Sequence, residues 1–187
     1  MKKPKKEEKP LSGAQDAYEW LQILIVALVT IILVFTFVGR ITPVVGESML
    51  PTLHEGDVML IRDIGYTDPQ PGDIVVLTKE FDAARGPIVK RIIAVEGQTV
   101  DIDYQTGTVY VDGEALDEPY LNEPREEPWY EDLTSVTVPE GSVFVMGDNR
   151  NHSNDSRDVT LGTVDTRYLL GKAEFICFPF SDFGRIG

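Results

Sequence analysis

The chain reads as a mainly β protein, an antiparallel β-sheet domain preceded by one N-terminal membrane-spanning helix. Three observations carry that prediction. Residues 21–38 form eighteen consecutive positions without a charge. Beyond Pro43 the apolar residues fall into short runs bounded by Gly, Pro and Asp, the punctuation of strands and turns rather than of helices. Charge is divided as well: the first ten residues hold five lysines and two glutamates, a net of +3, so within the total of −14 the other 177 residues carry −17.

A length of 187 residues suits one domain with a substantial core once the apolar run is set aside. The acidic body argues against nucleic acid as a partner, because phosphate backbones select basic surfaces. A single cysteine, Cys177, makes no intrachain disulfide, and its place in Phe175-Ile176-Cys177-Phe178 reads as a small buried hydrophobe. With no cysteine pair and two separated histidines, a structural zinc site is not expected.

The apolar run, at about 1.5 Å per residue, reaches ~27 Å as a helix, close to the thickness of a bilayer core. Tyr18 and Trp20 suit one interface and Arg40 marks the other. Lys2, Lys3, Lys5, Lys6 and Lys9 favour the cytoplasmic side. The expected layout is a basic cytoplasmic tail over 1–19, an anchor over 20–39 and an extracytoplasmic β domain over 40–187. The run exceeds the apolar core of a cleaved signal peptide, and Gly39-Arg40-Ile41-Thr42-Pro43 lacks a small-x-small cleavage pattern. It therefore reads as an uncleaved membrane anchor.

Strands are expected over 58–61, 74–77, 88–95, 108–111, 143–146 and 172–178. Asp112-Gly113 after Val109-Tyr110-Val111 signals a hairpin. Residues 116–133 hold three prolines, many acids, few aliphatics and the aromatics Tyr120, Trp129 and Tyr130, which reads as a long surface excursion or a small subdomain rather than core. A short helical turn fits Tyr168-Leu169-Leu170-Gly171 before the last strand.

Ser48 stands in Gly46-Glu47-Ser48-Met49-Leu50-Pro51-Thr52-Leu53, just after the apolar run. A nucleophilic serine needs a base. His54 is six residues away across a proline, and His152 sits in a polar loop where histidine is ordinary. Lys90 differs. In the strand over 88–95 it alternates onto the face of Ile88, Ile92 and Ala94, while Arg91 shares the other face with Val89, Ile93 and Val95. Desolvation on such a face lowers a lysine pKa, and bringing it from ~10.4 to about 7–8 takes roughly 4 kcal/mol. A lysine that resists aggregation at a strand edge, its amine snorkelling to water, is the competing reading of this strand. The third patch is the run of eleven polar residues over 148–158, Asp148 to Asp158, behind Gly147. By itself it fits a solvated loop of Asx turns equally well; its acid spacing is not that of a calcium loop.

Together these three patches resemble the bacterial type I signal peptidases, membrane-anchored serine proteases that remove signal peptides. The run from Gly46 to Leu53 is similar to the family's serine box, Lys90-Arg91-Ile92-Ile93-Ala94-Val95-Glu96-Gly97 to its lysine box, and Gly147-Asp148-Asn149-Arg150 through Ser153-Asn154-Asp155-Ser156-Arg157 to its late polar box. The resemblance spans residues 20 to about 180. It implies a Ser48 nucleophile and a Lys90 general base, with Ser153 orienting the amine. It also implies that Asp155 pairs with both Arg157 and Arg91, and that the Ser48 backbone N–H donates to the oxyanion. Where some members have a second oxyanion serine, this chain has Gly46, as in a glycine-bearing subgroup; the resemblance leaves that donor to the Gly46 backbone or a water. Glu118-Pro119-Tyr120-Leu121-Asn122-Glu123 looks like a segment of that subgroup. The implied fold is a signal-peptidase-type antiparallel β domain with a short, reduced accessory region over 98–141. The implied partners are signal peptides of exported preproteins, bound extended and cut after Ala-x-Ala, and the lipid bilayer. Met49, Leu50 and Leu53 are expected to line the peptide groove or dip into the membrane surface. Two rivals are a self-cleaving Ser-Lys repressor and an anchored β domain that binds partners with an inert Ser-Lys pair. The first lacks an anchor and carries a DNA-binding region, and neither feature fits this chain.

Overall fold

The computed structural model describes residues 13–37, 39–81, 86–121, 123 and 133–186. The lysines of the first ten residues, Trp129 and Tyr130 lie outside them. The described chain divides into two units at Val38/Gly39.

The first unit is helix α1 (Gly13–Phe37), 25 residues and ~37 Å long at the usual rise. Its large apolar side chains from Leu21 to Leu33 are exposed on every side, and it is the one described helix long and apolar enough to cross a membrane. An apolar stripe on one face would fit a groove on a soluble domain; an apolar surface all round fits lipid.

The second unit is β. Its strands are β1 (Arg40–Pro43), β2 (Val58–Arg62), β3 (Ile74–Leu77), β4 (Ile88–Val95), β5 (Thr99–Asp103), β6 (Thr108–Val111), β7 (Glu114–Ala115), β8 (Ser135–Thr137), β9 (Ser142–Met146), β10 (Val164–Asp165), β11 (Leu169–Phe178) and β12 (Gly184–Arg185). The larger sheet has the order β1-β2-β11-β3-β4-β9-β10, with β12 also on β11. The smaller has the order β7-β6-β5-β8. All of the pairings are antiparallel, so the mainly β antiparallel fold expected from the turn spacing is the fold observed.

Every apolar run marked in the sequence lies within a strand. The strands not anticipated are short or polar: β1 is Arg-Ile-Thr-Pro and β8 is Ser-Val-Thr. Asp112 and Gly113 both take positive φ, 52° and 81°, and close the β6–β7 hairpin, as a two-residue primed turn requires. The helical turn foreseen before the last strand falls slightly earlier, a 3-10 turn over Thr166–Tyr168, and Leu169 already belongs to β11. Cys177 is half-buried rather than buried.

Three apolar clusters sit around the larger sheet. One gathers Val44, Met49, Leu53, Met59, Ile61, Ile74, Val76 and Ala173. A second joins Ile93, Phe144 and Met146 of the larger sheet to Val100 and Val109 of the smaller. The third packs Val75, Leu77, Ile92, Val143 and Val145 with Leu161 and Val164. Strand β4 contributes to the last two, which places its polar residues between layers of core.

Candidate active site

The loop from Val44 to Asp57 delivers Ser48. Its base is pinned by Val44 N–H to the Asp57 carbonyl (2.7 Å) and by His54 N–H to the Asp57 carboxylate (2.8 Å). Its apex is pinned by packing, with Met49 and Leu53 almost wholly buried in the first cluster. Leu53 is thus a core residue, not a groove or membrane residue, because it anchors the turn that carries the serine. Gly46 takes φ +86°, a left-handed conformation that favours glycine, two residues before the serine.

Strand β4 delivers Lys90. Its register against β3 sets Lys90 beside Val75 and Arg91 beside Ile74, and Lys90 is only 3% exposed. The Lys90 Nζ lies 2.7 Å from Ser48 Oγ and 2.9 Å from the Val89 carbonyl. Burial pushes its pKa down to about 8; Asp155 pulls it up, Arg157 pushes it down and Asp148 pulls it up. Desolvation wins, because the amine makes no ion pair among the described residues while the two nearby carboxylates are each engaged by an arginine.

The polar box follows β9. Met146 pairs with Arg91, so the next residue, Gly147, comes level with Lys90. A Cβ on Gly147 would lie 2.2 Å from Ser153 Oγ and 2.4 Å from the Ser48 carbonyl oxygen. No residue larger than glycine fits there. From this pivot Asn149 N–H donates to the Ser48 carbonyl (3.0 Å) and Asn149 Nδ2 to the Glu47 carbonyl (3.1 Å). The loop is not a solvated one: Asp148, Asn149, Arg150, Ser153, Asp155, Ser156 and Arg157 are buried.

Two carboxylates organise it. Asp155 accepts from Arg157 Nε and Nη2 (both 2.8 Å), from Gly147 N–H (2.9 Å) and from Ser153 Oγ (2.7 Å). Burial alone would raise its pKa, but the Arg157 charge and these bonds outweigh burial and hold the carboxyl near 2. Asp148 accepts from Arg91 Nε (2.9 Å) and Nη2 (2.7 Å), and from Thr52 Oγ1 (2.5 Å). Two expected contacts are therefore corrected. Arg91 pairs with Asp148 rather than Asp155, because Asp148 directly follows Gly147 beside β4. Ser153 gives its hydroxyl hydrogen to Asp155 rather than bonding the lysine amine, which the serine hydroxyl and the Val89 carbonyl already engage. The Arg157–Asp155 pairing is present as expected.

His54 and His152 are exposed, and neither ring makes a hydrogen bond or ion pair among the described residues. The Ser48 N–H has no acceptor among the described residues. A cleft of about 90 Å³ opens beside the pair, lined by Thr42 to Gly46, Ser48, Met49, Val76 and Pro87 to Lys90. Strand β9 pairs with β4 only from Arg91 onward, so the β4 edge before Arg91 stays open toward it. No group of three His, Cys, Asp or Glu that could hold a metal occurs among the described residues.

Sequence reasoning missed Asp148, Thr52, Gly147 and Asn149 as organisers of the site. Each was visible inside a motif, but Asp148 meets Arg91 through the β4–β9 register and Thr52 across a long stretch of chain, not through neighbouring residues.

The site thus joins a half-buried Ser48–Lys90 hydrogen bond, a small cleft of mixed polarity and a buried acid–arginine scaffold. The family model described as signal peptidase, peptidase S26, matches residues 17–178. A probable signal peptidase I-1 of Synechocystis is 40% identical over 90% of this chain and 86% of its own. A signal peptidase I of Bacillus licheniformis is 36% identical over 94% of this chain and 96% of its own. A solved signal peptidase I of Enterococcus faecalis, 34% identical, covers 57% of this chain and 97% of its own at a TM-score of 0.45. The chain belongs to the signal peptidase family, peptidase S26.

Proposed function

We propose that this peptidase is membrane-bound and cuts signal peptides from exported preproteins after small residues, with Ser48 as nucleophile and Lys90 as general base. The observation that carries the reading is the 2.7 Å contact between Lys90 Nζ and Ser48 Oγ around an amine that burial lowers to about 8. Once the amine is neutral the contact reverses, and the hydroxyl donates its hydrogen into the nitrogen lone pair.

Ser48 Oγ attacks the scissile carbonyl as its proton passes to Lys90. The new oxyanion takes the Ser48 N–H, with the Gly46 backbone as the candidate for a second donor. The Lys90 ammonium then protonates the departing amine, the C–N bond breaks, and an ester links Ser48 to the signal peptide. A water molecule, deprotonated by the same amine, hydrolyses that ester. Asp155 stays ionised throughout and favours the transient ammonium. Ser153 and Arg157 hold Asp155, while Arg91 holds Asp148. No cofactor enters any step.

The substrate lies extended between Thr42–Gly46 and the open β4 edge, adding a strand and placing small side chains in the cleft. α1 spans the plasma membrane once, with the N-terminus cytoplasmic and the β domain outside. Ten residues, 38–47, lie between the end of α1 and Ser48 in the sequence.

The test uses the full chain in detergent with a preprotein, and mass spectrometry of the new N-terminus. Ser48→Ala should give no mature protein, and the parent should cut after a small residue. Cleavage by Ser48→Ala, or cuts after large residues, would refute the assignment.

A further inference from the structure

We propose that Glu118 and Tyr120, in the excursion after β7, act as a positioning clasp for the nucleophile's turn; this rests on the reading of Ser48 and Lys90 given above.

The clasp is built from two buried arginines. Arg150 is 1% exposed, and both its Nη atoms donate to the Glu118 carboxylate, Nη1 at 3.0 Å. Arg91 is 4% exposed, and its guanidinium carbon lies 3.9 Å from the centre of the Tyr120 ring. Tyr120 joins the two, because its hydroxyl donates to Glu118 Oε1 at 2.9 Å. One tyrosine therefore caps one arginine with its face and steadies, through its hydroxyl, the carboxylate that holds the other. Burial raises the phenol pKa and the Glu118 charge raises it further, so the hydroxyl keeps its proton.

What the arginines hold is the tripeptide Asp148-Asn149-Arg150. Arg91 fixes Asp148 through a two-pronged ion pair. Arg150 is itself the third residue, and its Nε donates back to the Gly147 carbonyl at 3.2 Å. On the opposite side the tripeptide grips the serine loop at three points: Asp148 to Thr52, Asn149 to the Glu47 carbonyl and Asn149 to the Ser48 carbonyl. Neither Glu118 nor Tyr120 lines the cleft, so neither is placed to bind substrate. Their effect passes to Ser48 through the tripeptide. Misplacing a reacting atom by about 1 Å costs on the order of a hundredfold in rate, so partial loosening of this relay should register in kcat and leave KM alone.

The experiment measures kcat, KM and thermal unfolding for the full chain in detergent, with a preprotein carrying an Ala-x-Ala site. Tyr120→Leu removes the ring from Arg91. It should lower kcat about tenfold with KM within twofold and the domain still folded. Tyr120→Phe keeps the ring and should restore kcat to within twofold of the parent. Glu118→Gln keeps the shape but removes the charge facing Arg150; it should lower kcat severalfold at unchanged KM, and it decides the matter if Tyr120→Leu does not fold. A folded Tyr120→Leu or Glu118→Gln with parental kcat overturns the clasp, as does a loss confined to KM. Ser48→Ala runs alongside: if it cleaves, the nucleophile reading fails and the clasp with it, whereas an inactive Ser48→Ala beside a parental Tyr120→Leu condemns the clasp alone.

Discussion

Asp155-Ser156-Arg157 and Asp165-Thr166-Arg167 are the same local device in two environments. In each, the aspartate accepts from the backbone N–H of the arginine two residues on, and from its Nε and Nη2. In each, the carboxyl is held near 2. At Asp155 this happens against an opposing burial effect, and at Asp165 it follows first from the Arg167 hydrogen bonds. They differ in surroundings. The side chains of the first pair are 2% and 0% exposed, those of the second 86% and 33%. The first pair also collects Gly147 N–H and Ser153 Oγ, neighbours of the Ser48–Lys90 contact. The pattern Asp-x-Arg sets the geometry of the pair, while packing against β9 decides whether its charge matters to a reaction.

Breaking the buried pair should have the largest effect. Asp155→Ala leaves the Arg157 guanidinium buried without its carboxylate, which costs roughly 3–5 kcal/mol. It should lower the urea midpoint sharply and remove cleavage activity. A midpoint within error of the parent would mean that the buried pair is no more important than the exposed one.

Gly147→Ala comes next. The added methyl would meet Ser153 Oγ and the Ser48 carbonyl at 2.2 and 2.4 Å, so the serine turn or the polar box must shift. The variant should fold with a lower melting temperature and lose at least tenfold in kcat. Parental kcat would show that the two loops need not meet this closely.

Titration sharpens the comparison without mutation. If neutral Lys90 is the active form, the rate climbs tenfold per pH unit below about 8 and levels off above it. A rate flat from pH 6 to 10 would contradict a titrating lysine. Stability has its own sign. The folded pKa of Lys90 is about 8 against 10.5 for the free side chain, so between these values the unfolded chain binds more protons and stability rises with pH. Below 8 the full penalty applies, about 3 kcal/mol for such a shift. Lys90→Met should therefore be more stable than the parent at pH 7, by an amount that shrinks as pH rises from 8 through 10.5. Asp155 gives a slope of the same sign at lower pH, as a depressed carboxyl whose stabilisation is present above 3.8 and lost as pH falls through 2.

The smallest effect belongs to the exposed pair. Asp165→Ala should leave kcat and melting temperature unchanged, since exposed ion pairs gain little over hydration. A measurable loss of rate there would break the contrast.

The same contrast explains what was legible in the sequence. Apolar runs announced β2, β3, β4, β6, β9 and β11 because each strand buries aliphatics at short period. β1 and β8 gave no such signal, being short and partly exposed. Ser48 and Lys90 stood out as residue types in unusual company, a serine behind an apolar run and a lysine among aliphatics. The partners of Arg91 and Arg150 did not. Arg91 lies 57 residues from Asp148, and Arg150 lies 32 from Glu118, so which carboxylate each arginine meets depends on strand register. Nothing local separates Asp155 from Asp165 either, because their difference is burial and burial is a property of the assembled sheet.

The most direct test of the central claim is preprotein turnover by Lys90→Met at pH 9, with folding checked by its melting temperature. The account predicts a folded, stabilised protein with no detectable cleavage, because no other described group is placed to take the Ser48 proton. Turnover within tenfold of the parent would contradict it and return the search for a base to the rest of the site.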